Sequence, residues 1–212
     1  MLTVNELFYS IQGESSHAGL PCVFVRLTAC DLRCQWCDTA YAFHEGTKRT
    51  IADVLHAIAQ YPCRLVELTG GEPLLQADAI PLMEALLEAQ YCVLLETGGH
   101  RSLANVPPAV RKIVDIKCPA SGEHHRMAWD NVAHLQPHDE VKFVIADADD
   151  YAYAKRCIAE HDLPGLCHVL FSPVWGQLPL ETLAQWILRD ALPVRLQTQL
   201  HKHIWSPTAR GV

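Results

Sequence analysis

Seven short apolar runs punctuate the 212-residue chain: CVFVRL (22–27), RLVELT (64–69), CVLLET (92–97), KIVDIK (112–117), VKFVIA (141–146), HVLFSP (168–173) and PVRLQT (193–198). Runs this short, rich in branched residues and continuous rather than alternating, read as strands buried on both faces, the pattern of a parallel sheet. Helical periodicity fills the gaps. Residues 50–61, TIADVLHAIAQY, put Ile51, Val54, Leu55, Ile58 and Ala59 on one face with Thr50 as N-cap, and 76–90, 147–161 and 180–190 repeat the pattern. No low-complexity linker or charge run interrupts this alternation, so it predicts one α/β domain. Six or seven strand–helix units fall short of the eight of a closed barrel. The expectation is a partial, (β/α)6-type TIM-like barrel with a parallel sheet: an N-terminal extension (1–20), a core (21–190) and a C-terminal cap segment (191–212). Functional groups then belong at the C-terminal ends of the strands.

Composition narrows the partner. Half the residues are hydrophobic, enough for a sizeable core, and the net charge of −7 is spread without a basic block, unlike the footprint of a nucleic-acid binder. The N-terminus MLTVNELFYSIQGE has neither the basic start nor the apolar stretch of a secretory leader, and no run reaches the roughly 18 apolar residues of a membrane span. A cytoplasmic protein acting on a small molecule is expected, with no nucleic acid or membrane partner. In that compartment an odd count of nine cysteines points to metal, catalysis or burial rather than a disulfide framework.

Three of the nine, Cys30, Cys34 and Cys37, crowd into TACDLRCQWCDT, directly after the first parallel run. An irregular loop can wrap three thiolates around one corner of an iron–sulfur cubane, whereas a strand would point them to opposite faces. The set is one ligand short for either structural zinc or a fully ligated cluster. A zinc site completed by a histidine such as His44 is the alternative. Cys22, Cys63, Cys92, Cys118, Cys157 and Cys167 stand singly and read as small buried hydrophobes. After the next run comes LTGGEP (68–73), whose two glycines let the main chain approach a ligand while Glu72 and Pro73 fix the turn. Later strand ends add Glu96, Thr97 and Gly98, then Asp115 and Lys117, then Lys142, then Ser172, as a pocket across the top of a sheet requires.

The C-x3-C-x2-C spacing with Trp36 before its last cysteine resembles the signature of the radical S-adenosylmethionine (SAM) superfamily, and GGEP resembles that superfamily's SAM-binding element. The resemblance implies a 4Fe-4S cluster on Cys30, Cys34 and Cys37 whose open iron chelates SAM, which on reduction gives methionine and a 5'-deoxyadenosyl radical. It implies a SAM site drawn from Trp36, Gly70, Gly71, Glu72, Glu96, Thr97, Gly98, Asp115, Lys117, Lys142 and Ser172. FYSIQGES (8–15), FVRLTACDLRCQWCDT (24–39) and QTQLHK (197–202) together resemble the 7-carboxy-7-deazaguanine synthase family. That likeness implies conversion of 6-carboxy-5,6,7,8-tetrahydropterin to 7-carboxy-7-deazaguanine with release of ammonia, in queuosine and 7-deazapurine biosynthesis, with SAM regenerated. It further implies Mg2+ on Thr39, with Asp38 the alternative ligand or a supporting partner, an electron-donating reductase such as flavodoxin, a homodimer, and a substrate site from Gln12, Gly13, Glu14, Arg26 and Gln199. The chemistry fits: Gln12 offers donor and acceptor, Glu14 can accept from an amino-pyrimidine edge, and Arg26 can grip a carboxylate. No residue is assigned as acid or base. SSHAG (15–19) departs from the family, which often has another glycine there, and His201 and Val212 fit either the pocket or a solvated terminus. A glycyl-radical activase would need a docking surface for a protein and leaves Gln12, Glu14 and Arg26 unexplained. An iron–sulfur electron carrier would want a fourth cysteine, and none is well placed.

Overall fold

The computed structural model describes all residues, Met1–Val212. Its nine strands are β1 (Leu2–Ile11), β2 (Pro21–Leu27), β3 (Thr47–Arg49), β4 (Leu65–Gly70), β5 (Cys92–Thr97), β6 (Arg111–Ile116), β7 (Glu140–Ile145), β8 (His168–Pro173) and β9 (Arg195–Leu196). They form one sheet in the order β3-β1-β2-β4-β5-β6-β7-β8-β9. β1 runs antiparallel to both its neighbours, and every pairing from β2 to β9 is parallel. The ends do not meet, so this is the expected partial barrel, extended at one edge by the antiparallel β1–β3 pair.

Helices α1 (Ile51–Ile58), α2 (Ala79–Glu88), α3 (Ala148–Glu160), α4 (Leu163–Leu166) and α5 (Leu180–Arg189) carry four of the crossovers, and α6 (Leu200–Ile204) follows β9. Thr50 caps α1 in a reciprocal capping box with Asp53, a contribution of about 1 kcal/mol. The helix stops at Ile58, so Ala59 is exposed beyond its apolar face, and Val54 and Ile58 bear the burial. The alternation is less regular than the sequence implied. A loop joins β5 to β6, and three 3-10 turns (119–121, 124–126, 129–134) join β6 to β7. Pro107, Pro108, Pro119 and Pro137 forbid long helices there. The buried Asn131 side chain holds these connections instead, donating to Gly99 O and Arg101 O and accepting from Leu103 N.

Alternate strand residues separate two faces. Val23, Val25, Val66, Leu68, Val93, Leu95, Val114 and Phe143 join Val54, Leu82, Met83, Ile158 and Leu183 in one core on the helix side. The concave side carries Phe24, Arg26, Glu67, Thr69, Glu96, Asp115, Lys142 and Ser172, which line a cavity. The seventh apolar run yields only the two residues of β9, because beyond it the Gln197 side chain turns inward to bond Glu14 and Ser15. Cys22, Cys118, Cys157 and Cys167 are buried as expected. Cys63 is half-buried and Cys92 exposed, since both sit at the N-terminal rim of the sheet, where no helix covers the strand starts.

Candidate active site

A cavity of about 640 Å³ opens at the C-terminal ends of the parallel strands, walled by the cysteine loop, the turn after β1 and the chain's last residues. Two sequence motifs are joined at its edge. Gly71 N donates to Leu27 O (3.1 Å) and Glu72 N to Ala29 O (2.8 Å), so the turn after β4 lies directly on the entrance to the cysteine loop. A Cβ on Gly70 or Gly71 would come within 2.2 Å of Leu27 O or 2.1 Å of Ala29 O. The paired glycines therefore serve this close approach. Ala29, immediately before Cys30, takes a φ of +79°, unusual for a residue with a Cβ.

The rest of the cysteine loop is held from outside. Asp31 accepts from Arg101 (2.6 Å) and Arg126 (2.7 Å) and pairs with His100 Nε2 (2.7 Å). Burial would raise its pKa, but the hydrogen bonds from His100 and Arg126 hold it well below the carboxylate range. Arg33 N donates to Glu123 (2.6 Å), Gln35 N donates to Ser121 O (3.2 Å), and Leu32 is buried beneath. Burial pushes the Cys30 thiol up and that of Cys34 to about 11. Such sulfurs ionise readily only against a cation, which suits metal ligation. Nowhere do three His, Cys, Asp or Glu side chains converge on one ion, and a cubane, which takes one thiolate on each of three irons, does not require it. His44 is exposed and belongs to no such group.

Glu72 is wholly buried. It accepts from Thr97 Oγ1 (2.8 Å), Gly98 N (2.8 Å) and Leu74 N (3.0 Å). Glu72, Thr97 and the Gly98 amide thus engage one another, bracing the turn after β4 against the end of β5. Trp36, Asp115, Lys117 and Ser172 line the cavity. Asp115 Oδ2 lies 3.0 Å from Lys117 Nζ, while Oδ1 is buried without a partner, an acceptor suited to a ligand hydroxyl or ammonium. At the centre Lys142 Nζ meets Glu96 (2.5 Å), Glu14 (2.9 Å) and, farther off, Asp115 (3.7 Å). Burial works against the ammonium, yet these carboxylates raise its pKa well above the ordinary value. Glu96, also bonded by Thr69 (2.9 Å), is held at about 2 because Lys142 outweighs burial.

The turn after β1 is built from both ends of the chain. Gln12, 4% exposed, donates to Glu67 through Nε2 and accepts from Glu14 N (2.9 Å) through Oε1. It lines the cavity, and in this arrangement its side chain braces the turn against β4. Leu200 N donates to Gly13 O (2.8 Å), and a Cβ on Gly13 would meet His201 Nδ1 at 2.2 Å. Gln199 donates to Glu14 Oε1 (3.0 Å) and Gln197 to Glu14 Oε2 (3.1 Å). Ser15 adopts φ +65°, which is where the family's usual glycine would be at ease. Arg26 gives Nε to Glu6 (2.7 Å), which also accepts from Tyr41 (2.7 Å), and its two terminal nitrogens make no protein hydrogen bond. Burial would lower its pKa, but Tyr41 and Glu6 raise it, so the guanidinium stays charged. Thr39 donates to Asp38 (2.9 Å), which Lys202 (2.6 Å) holds at about 2 against burial. The Thr39 oxygen keeps lone pairs for a cation.

Sequence reasoning missed Glu6, Tyr41, Glu67 and Gln197, and the brace of Asp31, His100 and Arg126. Glu67 carried a signal, a carboxyl inside an otherwise apolar run, and Gln197 opened the QTQLHK segment. Pro207–Val212 also line the cavity.

A three-cysteine loop and a glycine turn at the mouth of a partial barrel define a radical SAM enzyme, and residues 25–119 match the Radical SAM superfamily. Such a domain takes a 4Fe-4S cluster and SAM. The chain is 50% identical to the 7-carboxy-7-deazaguanine synthase of Chlorobaculum tepidum, over 100% of this chain and 97% of that one. It is 46% identical, over the full length of both, to that of Koribacter versatilis. The crystal structure of QueE from Escherichia coli superposes with a TM-score of 0.79 over 94% of each chain at 22% identity, and that of Streptococcus suis SuiB with 0.59 over 81% of this chain and 46% of the other. The chain belongs to the 7-carboxy-7-deazaguanine synthase family.

Proposed function

We propose that this chain contracts the ring of 6-carboxy-5,6,7,8-tetrahydropterin to 7-carboxy-7-deazaguanine with release of ammonia, for queuosine and 7-deazapurine biosynthesis. One observation carries the substrate: the open guanidinium edge of Arg26 and the carboxylate of Glu14 share a cavity with the three cluster cysteines. When bound, the cluster and SAM supply the radical that takes hydrogen from C6 of the pterin and returns it later. The chain's own work is binding and orientation. Arg26 pairs with the substrate carboxylate, and Glu14, held by Lys142 at 2.9 Å, accepts from the amino-pyrimidine edge. Gln199 and Gln197 hold Glu14 in place and close the site with the C-terminal segment. Asp115, Lys117, Ser172, Trp36 and the Gly70–Gly71 main chain face SAM, while Glu72, Thr97, Gly98 and Glu96 fix the shape of its pocket. Thr39, steadied by Asp38, ligates Mg2+ beside the substrate carboxylate.

The reductant is a flavodoxin-like donor, the assembly a homodimer, the location the cytoplasm, and 1–212 one domain of extension, core and cap. No helix is long and apolar enough to cross a membrane. A cavity closed over by the chain's own C-terminal segment suits a small molecule better than the protein partner of an activase. Anaerobic incubation of the reconstituted, reduced protein with SAM, Mg2+ and the carboxypterin, followed by mass spectrometry, tests the reading. Formation of 7-carboxy-7-deazaguanine supports it, and SAM cleavage without that product overturns the substrate.

A further inference from the structure

The carboxyl groups around the cavity differ in one respect. Glu6 has Arg26, Glu14 and Glu96 have Lys142, Asp115 has Lys117, and Asp38 has Lys202. Glu72 has only His100 Nδ1, 3.7 Å away, but its oxygens accept from Thr97, Gly98 N and Leu74 N, whereas Glu67 has neither a cation nor more than one donor. It points inward from the middle of β4, 3% exposed, flanked in register by Phe24 on β2 and Leu94 on β5. Its one side-chain partner is the Gln12 amide, which donates to Oε2, and Oε1 makes no hydrogen bond within the protein. A buried carboxylate without a cation is costly, and protonation is the usual relief. Because Oε2 accepts from Gln12, the proton of the neutral acid belongs on Oε1, on the cavity side.

We propose that Glu67 is a substrate-recognition residue acting as a neutral acid: its carbonyl oxygen fixes the Gln12 amide, and its O–H donates to a carbonyl or ring-nitrogen acceptor on the flat heterocycle. The inference rests on the proposed function, and deepens it. Glu14, whose oxygens accept from Lys142, Gln197 and Gln199, lies one hydrogen-bonded residue away, since Gln12 bonds Glu67 at one end and Glu14 N at the other. An acceptor and a fixed donor joined this way match a fused pyrimidinone, whose edge presents N–H groups beside a carbonyl. Burial and the neighbouring charges of Glu96 and Glu14 push the Glu67 pKa well above the ordinary value, against the opposing pull of Lys142 and Arg26, and Cys22 lies next to it. Its folded pKa being raised, the donor is present at low pH and lost as pH rises through that value.

The test is calorimetric binding of the carboxypterin to the SAM-loaded protein, with SAM affinity measured alongside. Glu67→Gln, neutral and still a donor, should bind within about 3-fold of the wild type and lose the weakening at high pH that the wild type shows. Glu67→Leu, without a donor, should bind the carboxypterin at least about tenfold more weakly, the worth of one buried hydrogen bond, with SAM affinity unchanged. Equal losses in both variants would mean that the group works as an anion and would overturn the inference. Unchanged binding by Glu67→Leu would overturn it too. A wild type that binds SAM but not the carboxypterin overturns the proposed function itself, and this inference with it.

Discussion

The cysteine loop and the turn after β1 face each other across one cavity and are built on opposite plans. The cysteine loop is local: its ligands span eight residues, and main-chain bonds tie it to the turn after β4. The β1 turn is remote, with Glu14 held by Gln197 and Gln199 from the far end of the chain and by Lys142 from β7. Backbone contacts that only glycine permits join the first to the turn after β4, with ion pairs on Asp31 bracing it from outside, while in the second Glu14 is held by side-chain amide and charge contacts alone. Cluster chemistry should therefore survive damage to the β1 turn, and substrate binding should be the more fragile property.

The largest expected effect lies on the cluster side. Cys34→Ala should lose the iron–sulfur chromophore and SAM cleavage altogether while the fold is kept, because Arg101, Arg126 and His100 on Asp31, with the main chain, hold the loop through bonds that do not involve Cys34. Circular dichroism and iron content check this. Gly71→Ala should cost about 3 kcal/mol of stability and reduce cluster retention, since its Cβ meets Ala29 O at 2.1 Å; chemical denaturation reads the first and iron content the second. A fully stable Gly71→Ala with an intact cluster would break the contrast between the two regions.

On the substrate side, Arg26→Ala should weaken carboxypterin binding about 100-fold, consistent with loss of a charge-assisted pair, while SAM still binds. Lys142→Met leaves Glu14 and Glu96 without their shared cation and should abolish substrate binding before it touches the cluster. The same variant bears on acid stability. Glu96 has a depressed pKa of about 2 in the folded chain against an ordinary 4.5, so its contribution is complete above pH 4.5 and is lost as pH falls towards 2. Acid titration of the unfolding midpoint should show this loss in the wild type and less of it in Lys142→Met. The smallest effect is Ser15→Gly, which relieves a φ of +65° and should raise stability by under about 1 kcal/mol, visible as a slightly higher midpoint.

What could be read from the sequence follows the same division. The cysteine loop, GGEP and the strand ends were legible because each is contiguous, and the outer core because the strands are short, continuous apolar runs rich in branched residues. The Gln12 brace was hidden because nothing in QGE announces that Glu67, 55 residues on, accepts from its amide. Glu6 was silent, since one acidic residue in the N-terminal segment reads as surface until Arg26 is seen beside it. The two crossovers without α-helices were masked by the helical regularity of the others, although their prolines were in view.

The most direct measurement follows the label in carboxypterin deuterated at C6, incubated anaerobically with the reduced enzyme, SAM and Mg2+. The account predicts 7-carboxy-7-deazaguanine together with recovered, intact SAM carrying deuterium. SAM consumed while the deuterium stays in unreacted carboxypterin would contradict it.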